Sequence, residues 1–272
     1  MTFLEKLNNA IEKNNSLLCI GLDSDLEKIP ESLLSRKHPQ YTFNKAIIDN
    51  TYDLISSYKL NTAFYEARGA EGIEDLKLTF EYLKKKYPEI PTILDAKRAD
   101  IDNTNKGYST FAFDYLGADA ITLHPYLGQE ALRPFLERKD QGNIILVKTS
   151  NKSGGEMQNL LVNNEPLYKH LARMIVKDWN WNNNCLMVVG ATYPKELSEL
   201  RGIAPSMTFL VPGIGAQGGD LENTLKAGLT KNKKGLIIHS ARGIIFSGKD
   251  KFFADSARSE AIKLKNRIND FR

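Results

Sequence analysis

A chain of 272 residues, 42% hydrophobic and 26% charged, can bury a large core and suits one large α/β domain or two small ones. Its net charge of +4 is spread along the sequence rather than massed in a stripe, which argues against nucleic acid and fits weak attraction of an anionic small molecule. No run is apolar enough to span a bilayer and the start, MTFLEKLNNAIEKNN, lacks a signal-peptide core, so a soluble cytoplasmic protein without a membrane partner is expected.

Short apolar runs recur along the chain at 17–23 (LLCIGLD), 59–67 (KLNTAFYEA), 91–97 (PTILDAK), 118–125 (ADAITLHP), 142–150 (GNIILVKTS), 185–192 (CLMVVGAT), 208–215 (TFLVPGIG) and 235–243 (GLIIHSARG). Between them, FNKAIIDNTYDLISS, GIEDLKLTFEYLKKKY and TLKAGLT space apolar residues at three and four, as helices do, and ADSARSEAIKLKNRIND closes the chain the same way. Eight strands alternating with helices predict a parallel sheet, and eight β/α units match a (β/α)₈ TIM barrel covering 1–272 as one domain. An open doubly wound sheet is the alternative. Cys19 and Cys185 lie in apolar runs and are expected to be reduced core thiols. His38, His124, His170 and His239 are scattered, and no metal-ligand spacing occurs.

A barrel carries its active site where the strands run into their following loops. The strand ends here are polar: Asp23, Glu66, Asp95 with Lys97, His124, Lys148 with Ser150, Gln217 and Arg242. In ILDAKRADIDNT, Asp95 and Lys97 share a face by strand period, Lys59 on the preceding strand is within reach of Asp95, and Asp100 follows. A Lys–Asp–Lys–Asp chain results. A solvated, salt-bridged loop is the bland reading, but strand-borne charges at the barrel mouth favour a site. Such a network holds Lys97 protonated, which suits proton donation to a carbanion better than Schiff-base chemistry, for which the amine must be neutral.

PGIGAQGGD, 212–220, reads as a phosphate loop leading into a helix from Asp220 or Leu221, with Gln217 as an amide contact and Arg242 on the next strand as a cation. Asp23 could bond ribose hydroxyls or cap a turn. A lone strand-end His124 is more often packed than catalytic, and His239 reads as a satisfied barrel residue. Trp179 and Trp181 read as surface packing, and KTSNKSGGE as either a lid or a plain flexible loop.

CIGLDSD, KLNTAFYE, DAKRADI, KTSN, PGIGAQGGD and SARGI, in this order over essentially the whole chain, resemble the orotidine 5′-phosphate decarboxylase family, in its longer-chain branch. The resemblance implies cofactor-independent conversion of orotidine 5′-monophosphate to uridine 5′-monophosphate and CO₂, the last step of de novo pyrimidine synthesis. It implies that Lys97 protonates C6, with Lys59 and Asp95 completing the array. It also implies a homodimer in which Asp100, with Ile101 and Thr104 beside it, enters the partner's site. Asp23 and Lys59 would hold ribose, with Asn61 close by. Ser150 would meet the pyrimidine, and Gln217 and Arg242 the phosphate. Ala99 stands where many members carry glycine, and Ala241 where several do. A magnesium-dependent sugar-phosphate decarboxylase and a non-catalytic nucleotide-binding barrel are the alternatives.

Overall fold

The computed structural model describes residues 1–214 and 219–272. Eight strands form the sheet: β1 (Leu18–Gly21), β2 (Ser57–Asn61), β3 (Thr92–Arg98), β4 (Ala120–Leu123), β5 (Gly142–Lys148), β6 (Cys185–Val189), β7 (Phe209–Val211) and β8 (Leu236–Ser240). Each pairs in parallel with its sequence neighbours, and β1 also pairs with β8 through Leu18↔Ile238 and Cys19↔His239, closing the barrel. Closure excludes the open sheet. β1, β4 and β6 are buried along their whole length because parallel strands face side chains inside and helices outside.

The N-terminal helix Phe3–Asn14 is started by a capping box in which the Glu5 N–H donates to Thr2 Oγ1 and the Thr2 N–H to Glu5 Oε2. Its stripe of Phe3, Leu7, Ala10 and Ile11 is buried. Phe3 lies against the start of β5, where a Cβ on Gly142 would come within 2.5 Å of its ring. The C-terminal segment forms the expected long helix, Phe253–Asn269. Cys19 and Cys185 are buried free thiols, and burial pushes both up to a pKa of about 12.

The strand expected over 59–67 is corrected. It ends at Asn61, and Ala63–Glu66 make a helical turn. Asn61 Oδ1 accepts the Ala63 N–H at 3.1 Å, a local bond that offers the backbone an alternative to the ladder. Trp179 is corrected too: it is buried at the end of the helical stretch after β5, whereas Trp181 is exposed.

Two irregularities in the sheet decide where charges point. In β3 the pairing with β4 jumps from Leu94↔Ile121 to Arg98↔Leu123, and within that jump Lys97 has a left-handed φ of 46°. In β5 the pairing with β6 slips between Leu146 and Lys148. A bulge re-aims the side chains that follow it.

Candidate active site

At the C-terminal mouth of the barrel lies a cavity of about 720 Å³. Asp23, Lys59, Asn61, Asp95, Lys97, Ser150 and Arg242 all line it, so seven of the residues singled out in the sequence are brought together.

Asp95 is the hub. Its Oδ2 accepts from Lys59 Nζ at 2.7 Å and its Oδ1 from Lys97 Nζ at 2.6 Å, and both contacts are ion pairs. Lys59 Nζ also lies 3.6 Å from Asp23 Oδ1. The series of alternating charge is therefore Asp23–Lys59–Asp95–Lys97. Burial alone would raise the Asp95 pKa, but the two ammonium groups and their hydrogen bonds hold its carboxyl well below the usual range. Burial likewise opposes the charge on Lys59, and Asp23 and Asp95 overrule it, raising the ammonium above its ordinary value.

Thr122, inside the apolar run of β4, was missed by sequence reading. Its hydroxyl donates to Asp95 Oδ1 at 2.8 Å and accepts the Lys97 N–H at 3.0 Å. It thus fixes both the carboxylate and the left-handed turn that carries Lys97. Its signal was a hydroxyl within ADAITL, but β-branched Thr is so common in strands that the residue alone does not separate site from sheet.

The charged run after β3 splits. Arg98 turns outward to the Glu66 carboxylate and stacks over Tyr108, so neither Arg98 nor Glu66 lines the cavity. Asp100 is held locally: its N–H donates to Asn105 Oδ1 at 2.9 Å and its Oδ1 accepts the Ile101 N–H at 2.7 Å. Asp100, Ile101 and Thr104 do not line the cavity of their own chain, and Ile101 is 63% exposed. Within this chain Asp100 does not join the series of alternating charge, and Asp23 does. Asp23 Oδ1 is buried without a hydrogen-bond partner among the described residues, which leaves it able to accept one from a ligand.

His239 corrects an expectation. Its Nε2 is buried without a hydrogen-bond partner among the described residues, and the residue lines the cavity. Burial first and the Lys59 charge second push its pKa well below the ordinary histidine value, so the imidazole is neutral. A Cβ on Gly21 would fall 2.5 Å from that Nε2, so β1 needs glycine here. His124 behaves as a packed residue, its Nε2 lying 3.1 Å from the Ala99 carbonyl. Lys148, counted among the polar strand ends, does not line the cavity.

After β7 the loop opens on Gly213, whose φ of 101° suits glycine, and the Gly219 N–H donates to the Gly213 carbonyl at 3.1 Å. Gln217 lies outside the described residues. The helix begins at Leu221 as expected, but Asp220 Oδ1 already accepts the Asn223 N–H at 3.2 Å. The first turn is therefore partly satisfied by its own cap. Arg242, exposed at the end of β8, supplies a cation to the lining.

The segment after β5, taken as a lid or a flexible loop, is folded. It has short turns at Lys152–Gly154 and Gly155–Gln158, and a hairpin of Leu161–Val162 against Glu165–Pro166.

Comparison with known proteins agrees with this architecture. Residues 16–255 match the family model described as orotidine 5′-phosphate decarboxylase / HUMPS family. A protein of Cellvibrio japonicus named orotidine 5′-phosphate decarboxylase is 46% identical over 99% of this chain and 98% of its own length. A solved structure of Leishmania donovani OMP decarboxylase superposes with a TM-score of 0.86 at 36% identity, covering 100% of this chain and 98% of that one. A structure of Leishmania donovani UMP synthase gives a TM-score of 0.88 at 38% identity, with this chain spanning 56% of that longer one. This chain is an enzyme of the orotidine 5′-phosphate decarboxylase / HUMPS family.

Proposed function

We propose that residues 1–272 form one catalytic domain that decarboxylates orotidine 5′-monophosphate to uridine 5′-monophosphate, the last step of pyrimidine synthesis, without a cofactor. The observation that carries this reading is the ion-pair chain Asp23–Lys59–Asp95–Lys97, buried at Lys59 and Asp95, in a cavity that Arg242 also lines. Asp23 and Asp95 are bridged by the Lys59 ammonium instead of converging on an open cation site. Among the described residues, no group of three or more His, Cys, Asp and Glu is placed to hold a metal ion.

Arg242 pairs with the nucleotide phosphate, Ser150 meets the pyrimidine, and Asp23, Lys59 and Asn61 face the ribose. The substrate carboxylate then lies against Asp95, which cannot relieve the repulsion by taking up a proton because two ammonium groups hold it ionised. At an effective dielectric near 20, two unit charges about 4 Å apart interact by roughly 4 kcal/mol, enough to bias departure of the group. The C6–carboxylate bond breaks, CO₂ leaves, and the electron pair remains on C6. Lys97 stabilises that pair through its positive charge and donates a proton to C6, then regains one from solvent.

The test is direct. Purified protein should consume orotidine 5′-monophosphate, followed by ultraviolet absorbance, with and without chelator. Tight uridine 5′-monophosphate binding with no turnover would leave a binding barrel, and turnover that requires added magnesium would favour a different member chemistry. Arg242→Ala should lower kcat/KM by about tenfold to a hundredfold, the worth of a charge-assisted hydrogen bond. Phosphate-free orotidine should be indifferent to the same change.

The exposure of Ile101, and the absence of Asp100 and Thr104 from their own cavity, support a homodimer in which these residues complete the partner's site. Mixed Lys97→Ala and Asp100→Ala subunits should then regain activity, since half of the sites in a hybrid dimer hold both native residues. Failure of subunits that demonstrably exchange to recover activity would place Asp100 elsewhere.

A further inference from the structure

Lys148 ends β5 with only 1% of its surface exposed, and it faces away from the cavity. Strand period would have sent it inward beside Leu146, which does line the cavity; the slip in pairing between the two residues turns it out. Its Nζ lies 5.3 Å from the Tyr168 ring centroid and 4.7 Å from that of Tyr193, and donates to Asn159 Oδ1 at 2.7 Å. Burial pulls its pKa down, with Glu196 opposing. A buried ammonium with a neutral acceptor stabilises a fold less than a well-packed apolar side chain of the same size would. Its use therefore lies in what it holds.

Asn159 ends the pair of short turns that follows Lys148. Within that segment Gln158 Oε1 accepts the Thr149 N–H at 3.0 Å, and Gln158 Nε2 donates to Thr149 Oγ1 at 2.7 Å. Ser150 sits in the middle of this bracket. On its other side the Thr192 hydroxyl donates to the Ser150 carbonyl at 3.4 Å, and the Gly190 N–H donates to the Lys148 carbonyl at 2.7 Å. A Cβ on Gly190 would fall 2.7 Å from Ser150 Cα, so the two backbones are already in contact.

We propose that Lys148 is a positioning residue for Ser150: its ammonium, held between two tyrosine rings and tied to Asn159, fixes the loop that presents Ser150 to the pyrimidine. This rests on the decarboxylase reading above, in which Ser150 touches the base. The loop is thus a platform pinned from beneath.

Lys148→Met keeps an apolar stem of similar shape and removes the ammonium that forms the tether. Its kcat/KM for orotidine 5′-monophosphate should fall about tenfold, as misplaced contacts do. On a Ser150→Ala background the same change should cost less than about twofold, because the group it positions is gone. Asn159→Ala cuts the tether at its exposed end and should show the same pattern, so it carries the cycle should Lys148→Met fail to fold. Hydrogen exchange across 150–160 should quicken in either variant, a readout independent of substrate. Equal losses on both backgrounds, or unchanged kcat/KM with faster exchange, would overturn the positioning role. Absence of orotidine 5′-monophosphate turnover by the wild type, together with faster exchange in the variants, would instead sink the decarboxylase reading.

Discussion

Lys97→Ala should lower kcat/KM by on the order of 10⁴-fold, the combined worth of a proton donor and of a fixed charge at a developing carbanion. The protein should stay folded, because the Lys97 side chain is half exposed and Asp95 keeps its bonds to Lys59 and Thr122. Lys97→Gly separates the chemical from the conformational role. Lys97 holds a φ of 46°, a region that side chains adopt at a cost and glycine does not. The glycine variant should be equally inactive but about 1 kcal/mol more stable than the alanine variant, read by denaturant unfolding. Substantial decarboxylation by either variant would remove Lys97 as the donor.

The second large effect is structural as well as catalytic. Lys59→Met leaves Asp23 and Asp95 facing each other in the barrel with one cation lost, and breaking a buried pair in this way costs about 3–5 kcal/mol. Activity should fall with it, since Asp95 is then no longer fixed. The pH dependence follows from the directions of the two shifts. The depressed Asp95 carboxyl contributes stability that is present above the ordinary carboxylate range and lost as pH falls toward its own lowered value. The raised Lys59 ammonium contributes stability that is complete below the ordinary lysine value and lost only as pH rises through its own raised value. Wild-type stability should therefore be level, as far as this pair is concerned, between about pH 5 and pH 9. In Lys59→Met the Asp95 carboxyl is less depressed, so the acid limb of unfolding should move to higher pH. A variant whose acid midpoint and stability match those of the wild type would show that the pair is not coupled as described.

Lys59 and Asp95 were legible because the site uses regular strand geometry: adjacent parallel strands bring their ends together, whatever the details of the loops. The start of the loop after β7 was legible in part, since Gly213 holds a φ of 101°, a backbone that favours glycine. Thr122 and His239 were not legible. Each sits within an apolar strand run, and strand propensity accounts for a threonine or a histidine there without any reference to function. Lys148 was misplaced for a different reason. A one-residue slip in pairing reverses the face of every residue after it, and nothing in ILVKTS marks where the slip falls.

The amino-acid order alone determined the alternation of strands and helices, the barrel and the strand ends at which charge collects, because burial imposes its period on every element separately. Only the tertiary structure decided which of those charges meet. Asp23 joins Lys59 because β1 lies beside β2, Lys97 reaches Asp95 through a left-handed residue that Thr122 holds, and Arg98 and Lys148 turn outward. Such contacts depend on register between strands distant in sequence, and a slip of one residue, worth little in local preference, exchanges the inside of the barrel for the outside.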